Sequence, residues 1–150
     1  MSIKELPLQP SFVIAPEAPA MQALQSMLKH KINHIAVGED HRVVGLVSIT
    51  DILKQLIPAS VRQPDGMMDL KFAGDSSRML AANLKKLESI KVSEMLQHVP
   101  PIDENCPLLE AALLLFQNAG PLAVADAEGN FKGMLSRRVF VEYLTQQAEA

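Results

Sequence analysis

The sequence predicts a mixed α/β fold of the α+β kind, built from tandem β-α-β-β-α repeats with an inserted loop and helix between them. Three observations carry this expectation. The stretch Gly45-Leu46-Val47-Ser48-Ile49-Thr50-Asp51 continues a strand-like run from Arg42 and leads into Ile49, Ile52, Leu53, Leu56 and Ile57 at helical spacing. The same passage returns 88 residues later as Gly133-Met134-Leu135-Ser136. Laying residue i on residue i+88 pairs Pro19 with Pro107, Ala23 with Ala111, Gly45 with Gly133, Ser48 with Ser136 and Leu56 with Leu144, with no gap from Pro19 to Leu56. Core-type positions agree too: Met27 with Leu115, Val43 with Phe131, Val47 with Leu135 and Ile52 with Phe140.

Taken in order, residues 1–11 are proline-punctuated and expected to be extended. Phe12-Val13-Ile14 reads as a short strand ended by Ala15-Pro16. Pro19 suits a helix start, and Met21, Leu24, Met27 and Leu28 give 19–31 an apolar helical face. His34–Val37 is a second strand, Gly38-Glu39-Asp40-His41 a tight turn, and Arg42–Val47 the strand that answers it. A helix over 49–57 stops at Pro58. Residues 58–91 have no counterpart in the repeat. The loop-like half, Pro58 to Gly74, precedes a helix capped by Asp75 or Ser76, with Met79, Leu80, Leu84 and Leu87 on its apolar face. Val92-Ser93-Glu94-Met95-Leu96 opens the second repeat. The expected units are therefore 1–58, an insertion at 59–91, and 92–150, with both repeats packing as one module.

Composition narrows the function classes. At 150 residues, with 48% hydrophobic and 21% charged residues, the chain is a folded, soluble type. A net charge of −3 gives no electrostatic reason to expect nucleic acid. The single cysteine, Cys106, excludes an intrachain disulfide and fits a reducing compartment. Met1 to Pro10 lacks a signal-peptide pattern, and the longest apolar run, Ala111 to Phe116, is too short to cross a bilayer. A cytoplasmic protein without a membrane partner is expected.

The strand-turn-strand from Ile35 to Gly45, the following Leu46-Val47-Ser48-Ile49-Thr50-Asp51-Ile52, and Val124 to Ser136 in the second half resemble a CBS-domain pair, the Bateman module. Val92–Leu96 is similar to the short helix that leads into such domains. The resemblance implies pseudo-two-fold packing, clefts that hold adenosine nucleotides or related ligands, a regulatory role in signal transduction, and assembly as a homodimer. It also implies that Ser48 and Asp51 form the family's Ser/Thr-x-x-Asp element, with the aspartate on the ribose hydroxyls. By the same resemblance Thr50, Ile14, His34 and Ile35 join that site, and Ser136 and Arg138 mark the second. AMP, ADP, ATP and S-adenosylmethionine are the candidate ligands; no cofactor is required.

Each functional reading has a structural counterpart. Ser48 and Asp51 also satisfy a helix capping box, which needs no ligand. In the second copy Val139 replaces the aspartate and cannot hold a ribose diol, so at most one ligand-binding cleft is expected. Arg137 and Arg138 lie unfavourably at a helix N-terminus, so either an anion is nearby (a phosphate, Glu142 or a partner chain) or both side chains are solvated. His34 is either a phosphate contact or a half-buried structural histidine. His30, His34 and His41 do not share a helical face, so no metal site is expected. Cys106 reads as a structural thiol. No catalytic constellation or Gly-rich phosphate loop is present, so the chain is not expected to be an enzyme. The leading expectation is a sensor that binds one adenosine compound; the alternative is a ligand-free dimerisation or protein-interaction module acting on an unidentified regulated protein.

Overall fold

A computed structural model of the chain describes residues 2–9, 12–58, 77–118 and 120–149. Its elements are β1 (Val13–Ile14), α1 (Ala20–His30), β2 (His34–Glu39), β3 (Arg42–Ser48), α2 (Ile49–Leu56), α3 (Ser77–Lys85), β4 (Ile102–Asp103), α4 (Leu108–Gln117), β5 (Leu122–Ala125), β6 (Phe131–Leu135) and α5 (Arg137–Glu149). β1-β2-β3 and β4-β5-β6 form separate three-stranded sheets, each with its first pair parallel and its second antiparallel. The tandem β-α-β-β-α order is thus observed, and the helices and strands recur close to the expected spacing of 88 residues.

One correction concerns β5. The ungapped superposition places Leu122 opposite His34, but the ladders place it opposite Ile35. In the first sheet Ala36 pairs with Leu46, and in the second Ala123 pairs with Met134. The strand is therefore displaced by one residue, with a shorter connection after α4. The longer turn Asp126–Asn130 takes up the difference, whereas β2 and β3 are joined through Asp40 and His41, both at positive φ. A one-residue slip exchanges the faces of a strand. The displacement is what keeps like with like: Ile35, Val37 and Val47 face one helical layer, and Leu122, Val124 and Leu135 face the other. The opposite faces meet as Ala36, Val43 and Leu46 against Ala123 and Met134, which form the seam between the repeats.

The segments leading into the repeats exchange partners. Residues expected to be extended near the N-terminus form a 3₁₀ turn at Ile3–Glu5, capped by Ser2, whose side chain accepts from Lys4 N–H while Glu5 accepts from the Ser2 N–H. Ser-x-x-Glu is a capping-box pattern, and local pairing overrides the proline punctuation. Ile3 (0% exposed) and Leu6 bury in the core of the second repeat, with Cys106, Leu115, Leu135 and Phe140. Reciprocally Leu87, Val92 and Met95 bury in the core of the first, with Met27, Ile35 and Val47. Backbone pairs seal both crossings. Gln9 and Met134 exchange N–H···O bonds of 2.9 Å, and Leu46 and Gln97 exchange bonds of 3.0 and 2.9 Å. The two cores consequently do not follow the division at residues 58 and 92.

The repeated glycines, Gly45 and Gly133, permit this exchange. A Cβ on Gly45 would collide with the Gln97 carbonyl oxygen, and one on Gly133 would sit 3.0 Å from the Gln9 oxygen and 3.0 Å from Leu8 Cβ. Gly133 also adopts φ +147, a backbone setting that favours glycine.

The inserted helix α3 continues into a 3₁₀ turn at Lys86–Glu88. Leu87 is buried and Leu84 packs on the first core, but Met79 and Leu80 are exposed, so half of the expected apolar face is used. The expected loop from residue 59 and the caps at Asp75 and Ser76 lie outside the described residues. Among the described residues no helix is long and apolar enough to cross a membrane.

The exchange makes Ile3 a core residue of the distant repeat. Ile3→Ala is expected to cost about 2–5 kcal/mol in urea unfolding, against about 0.5 kcal/mol or less for Leu28→Ala on the exposed side of α1. Equal effects would contradict the packing described.

Candidate functional site

β3 ends at Ser48, whose extended backbone and side chain cap α2. The Ser48 N–H donates to Asp51 Oδ2 at 2.8 Å, the Ser48 hydroxyl donates to the same oxygen at 3.0 Å, and the Asp51 N–H returns a bond to Ser48 Oγ at 3.2 Å. Both residues are buried, at 8% and 5% exposure. The other carboxylate oxygen, Oδ1, accepts from Gln97 Nε2 at 3.0 Å. Gln97 arrives on the crossing strand, 46 residues away. A buried carboxylate needs such donors, because unpaired it would carry a large desolvation cost. The capping expectation is fulfilled, and Oδ1 still has a second lone-pair direction open.

Asp51, Ser48, Thr50, His34 and Gln97 line a cleft of about 190 Å³. A second cleft, of about 300 Å³, is lined by Lys31, Asn33, Ser136, Arg137 and Gln9, again with His34. The two are related by the repeat: Ser136 answers Ser48, Met134 answers Leu46, and Gln9 answers Gln97. They share a wall made by His34, Gly120 and Pro121. Gly120 is closely applied to the imidazole, since a Cβ there would lie 2.5 Å from His34 Nε2.

Among the expected site residues, the structure brings His34, Ser48, Thr50 and Asp51 together, and puts Ser136 in the second cleft. Ile14 and Ile35 lie instead in the first hydrophobic core, because both occupy the helix-facing side of their strands. Arg138 lies outside both clefts, exposed and 3.7 Å from Glu142 one helical turn on. The arginine on the cleft is Arg137, whose Nε donates to the Leu115 carbonyl at 3.0 Å and whose Nη2 donates to the Asn118 carbonyl. Both arginines thus find oxygen partners: Glu142 for one, the carbonyl end of α4 for the other. Ser136 keeps its cap, accepting from the Val139 N–H at 3.2 Å.

Sequence reasoning missed Gln97, Gln9, Lys31, Gly120 and Pro121. Lys31 had a usable signal at the end of α1, where it adopts a left-handed conformation with φ 54. The glutamines had none, since only the crossing of the lead-in strands delivers them.

Burial is the main influence on His34, pushing its pKa below the ordinary 6.5; Asp51 opposes the shift and Arg137 adds to it. Cys106 is a buried thiol whose pKa is raised by desolvation and by Glu110 and Asp103. It fills the second core rather than lining either cleft around His34.

The fold is the one seen in CBS-domain pair structures. The CBS domain family model matches residues 3–58. A CBS-pair protein from Arabidopsis thaliana, CBSX2, is 22% identical and superposes with a TM-score of 0.77 over 99% of this chain and 97% of its own. A CBS domain-containing protein from Bacillus anthracis gives 0.75 at 17% identity, covering 97% of this chain and 94% of that one. CBSX2 in complex with AMP gives 0.68 at 22% identity, with 98% of both chains covered. Among curated proteins none matches the chain.

The lowered His34 pKa fixes a sign. The unfolded chain binds the proton more readily, so stability is lost as pH falls below about 6.5 towards the folded value. Melting temperatures recorded between pH 7.5 and 5 should decline for the wild type and decline less for His34→Gln; parallel curves would rule out His34 as the source.

Proposed function

We propose that the chain is a regulatory CBS-pair module that takes one adenosine-containing ligand, with the ribose on Asp51. The observation that carries this is the carboxylate at the Asp51 cleft. Oδ2 is fully used by the cap, while Oδ1 is held by one neutral amide from an exposed residue, Gln97. A ribose diol offers two hydroxyl donors of the kind that amide supplies, so a ligand exchanges for Gln97 without leaving the buried charge unpaired. The absence of an equivalent carboxylate at Val139 supports one ribose site per chain. The AMP complex of CBSX2, a protein of the same fold, supports the choice of adenosine compounds.

Regulation follows from where Gln97 sits. A ligand shifts an equilibrium only if it binds two states differently. Displacing Gln97 acts on the crossing strand that pairs with Leu46, and hence on the connection between the repeats.

A second reading, an interaction or homodimerisation module that works without ligand, is favoured by the outer face of α4 and α5. There Leu109 is 83%, Phe116 76% and Val141 59% exposed. Patches of this kind commonly mark contact surfaces.

Calorimetry and thermal shift with AMP, ADP, ATP and S-adenosylmethionine separate the readings. A ligand at 100 times its Kd should add roughly 2.7 kcal/mol of stability, with one equivalent bound per chain. Asp51→Ala should abolish the binding while circular dichroism shows the helices retained. If none of the four compounds shifts the wild type, or if two equivalents bind, the proposal fails.

A further inference from the structure

We infer that Gln97 is a built-in competitor for the ribose: its side-chain amide takes the place of a hydroxyl on Asp51 and thereby sets the affinity of the cleft. This rests on the ribose reading above and names what regulates that site. The hydrogen bonds dictate the competition. Ser48 commits Asp51 Oδ2 through both its N–H and its hydroxyl, so a ribose diol must use Oδ1. That oxygen accepts in two directions, and the Gln97 amide holds one of them at 3.0 Å. A diol placing both hydroxyls on Oδ1 therefore has to expel the amide. A ligand without the diol has nothing to put in its place.

The amide is a strong rival because it is part of the same chain. Gln97 and Leu46 exchange backbone bonds of 3.0 and 2.9 Å, and the absence of a side chain at Gly45 lets the Gln97 carbonyl approach. The glutamine is thus anchored beside Asp51 at a high effective concentration. Its side chain can still leave, since Gln97 is exposed and water satisfies the displaced group. Asp51 has its own need of the bond: at 5% exposure, an unpaired Oδ1 would be costly. The donor that stabilises the fold is therefore the donor that a ligand must replace. The device belongs to one cleft only. Gln9, the counterpart of Gln97, lines a cleft with no carboxylate among its described residues.

The test compares AMP with its dideoxy analogue, which lacks both ribose hydroxyls, by calorimetry on the full chain and on the Gln97→Ala and Gln97→Met variants. Methionine keeps the length of the side chain and donates nothing, so it separates loss of the bond from opening of the cleft. Both substitutions should lower the melting temperature of the protein alone. Both should tighten AMP about tenfold, the worth of a hydrogen bond to a charged group. Affinity for the dideoxy analogue should stay within about twofold of wild type. In the wild type, AMP should shift the side-chain amide resonance of Gln97 and the analogue should not, a readout that depends on no variant folding. If the wild type binds AMP but neither variant binds it more tightly, or if the analogue gains as much as AMP, the competitor is overturned. Loss of AMP binding in Asp51→Ala would then still uphold the ribose reading. If AMP binds neither the wild type nor the variants, both fall together.

Discussion

The pairing of each sheet with the lead-in of the opposite repeat is the constraint on which everything else in this molecule hangs. Met134 holds Gln9 and Leu46 holds Gln97 through reciprocal backbone bonds, and the neighbouring glycines leave room for the crossing strands. Each crossing carries apolar side chains into a core that would otherwise lack them: Ile3 and Leu6 in one direction, Val92 and Met95 in the other. The same crossings set a glutamine at the mouth of each cleft. Packing and site are products of one set of hydrogen bonds.

Much of the fold was legible because its signals are local. Capping at Ser48, the apolar faces of the helices and the repeated glycine and serine all act within a few residues. The one-residue displacement of β5 was not legible, for a definite reason. Leu122, Ala123, Val124 and Ala125 are all buried, so the strand shows no alternation to fix its register. The N-terminal turn was missed for the opposite reason: its capping pattern is present, but the prolines around it suggested an extended chain.

The candidate site divides in the same way. Ser48 and Asp51 were legible as a capping pair because they lie three residues apart at the start of one helix. Gln97 reaches Asp51 from 46 positions away, and Gly120 meets His34 across the seam. Arg137 lines the cleft and Arg138 does not, a difference of helical phase, since neighbouring residues on a helix point about a quarter turn apart. Ile14 and Ile35 belong to strands that flank the site, yet their side chains supply the layer beneath it.

The exchanged lead-ins give the two repeats different histories during synthesis. The first core draws on residues from Ile14 to Met95 and can close once that stretch has emerged. The second needs Ile3 and Leu6 together with Phe140, at the far end of the second repeat. Until Phe140 has emerged, Ile3 and Leu6 lack their final partners, and the nascent chain carries an open hydrophobic segment that only the second repeat can cover.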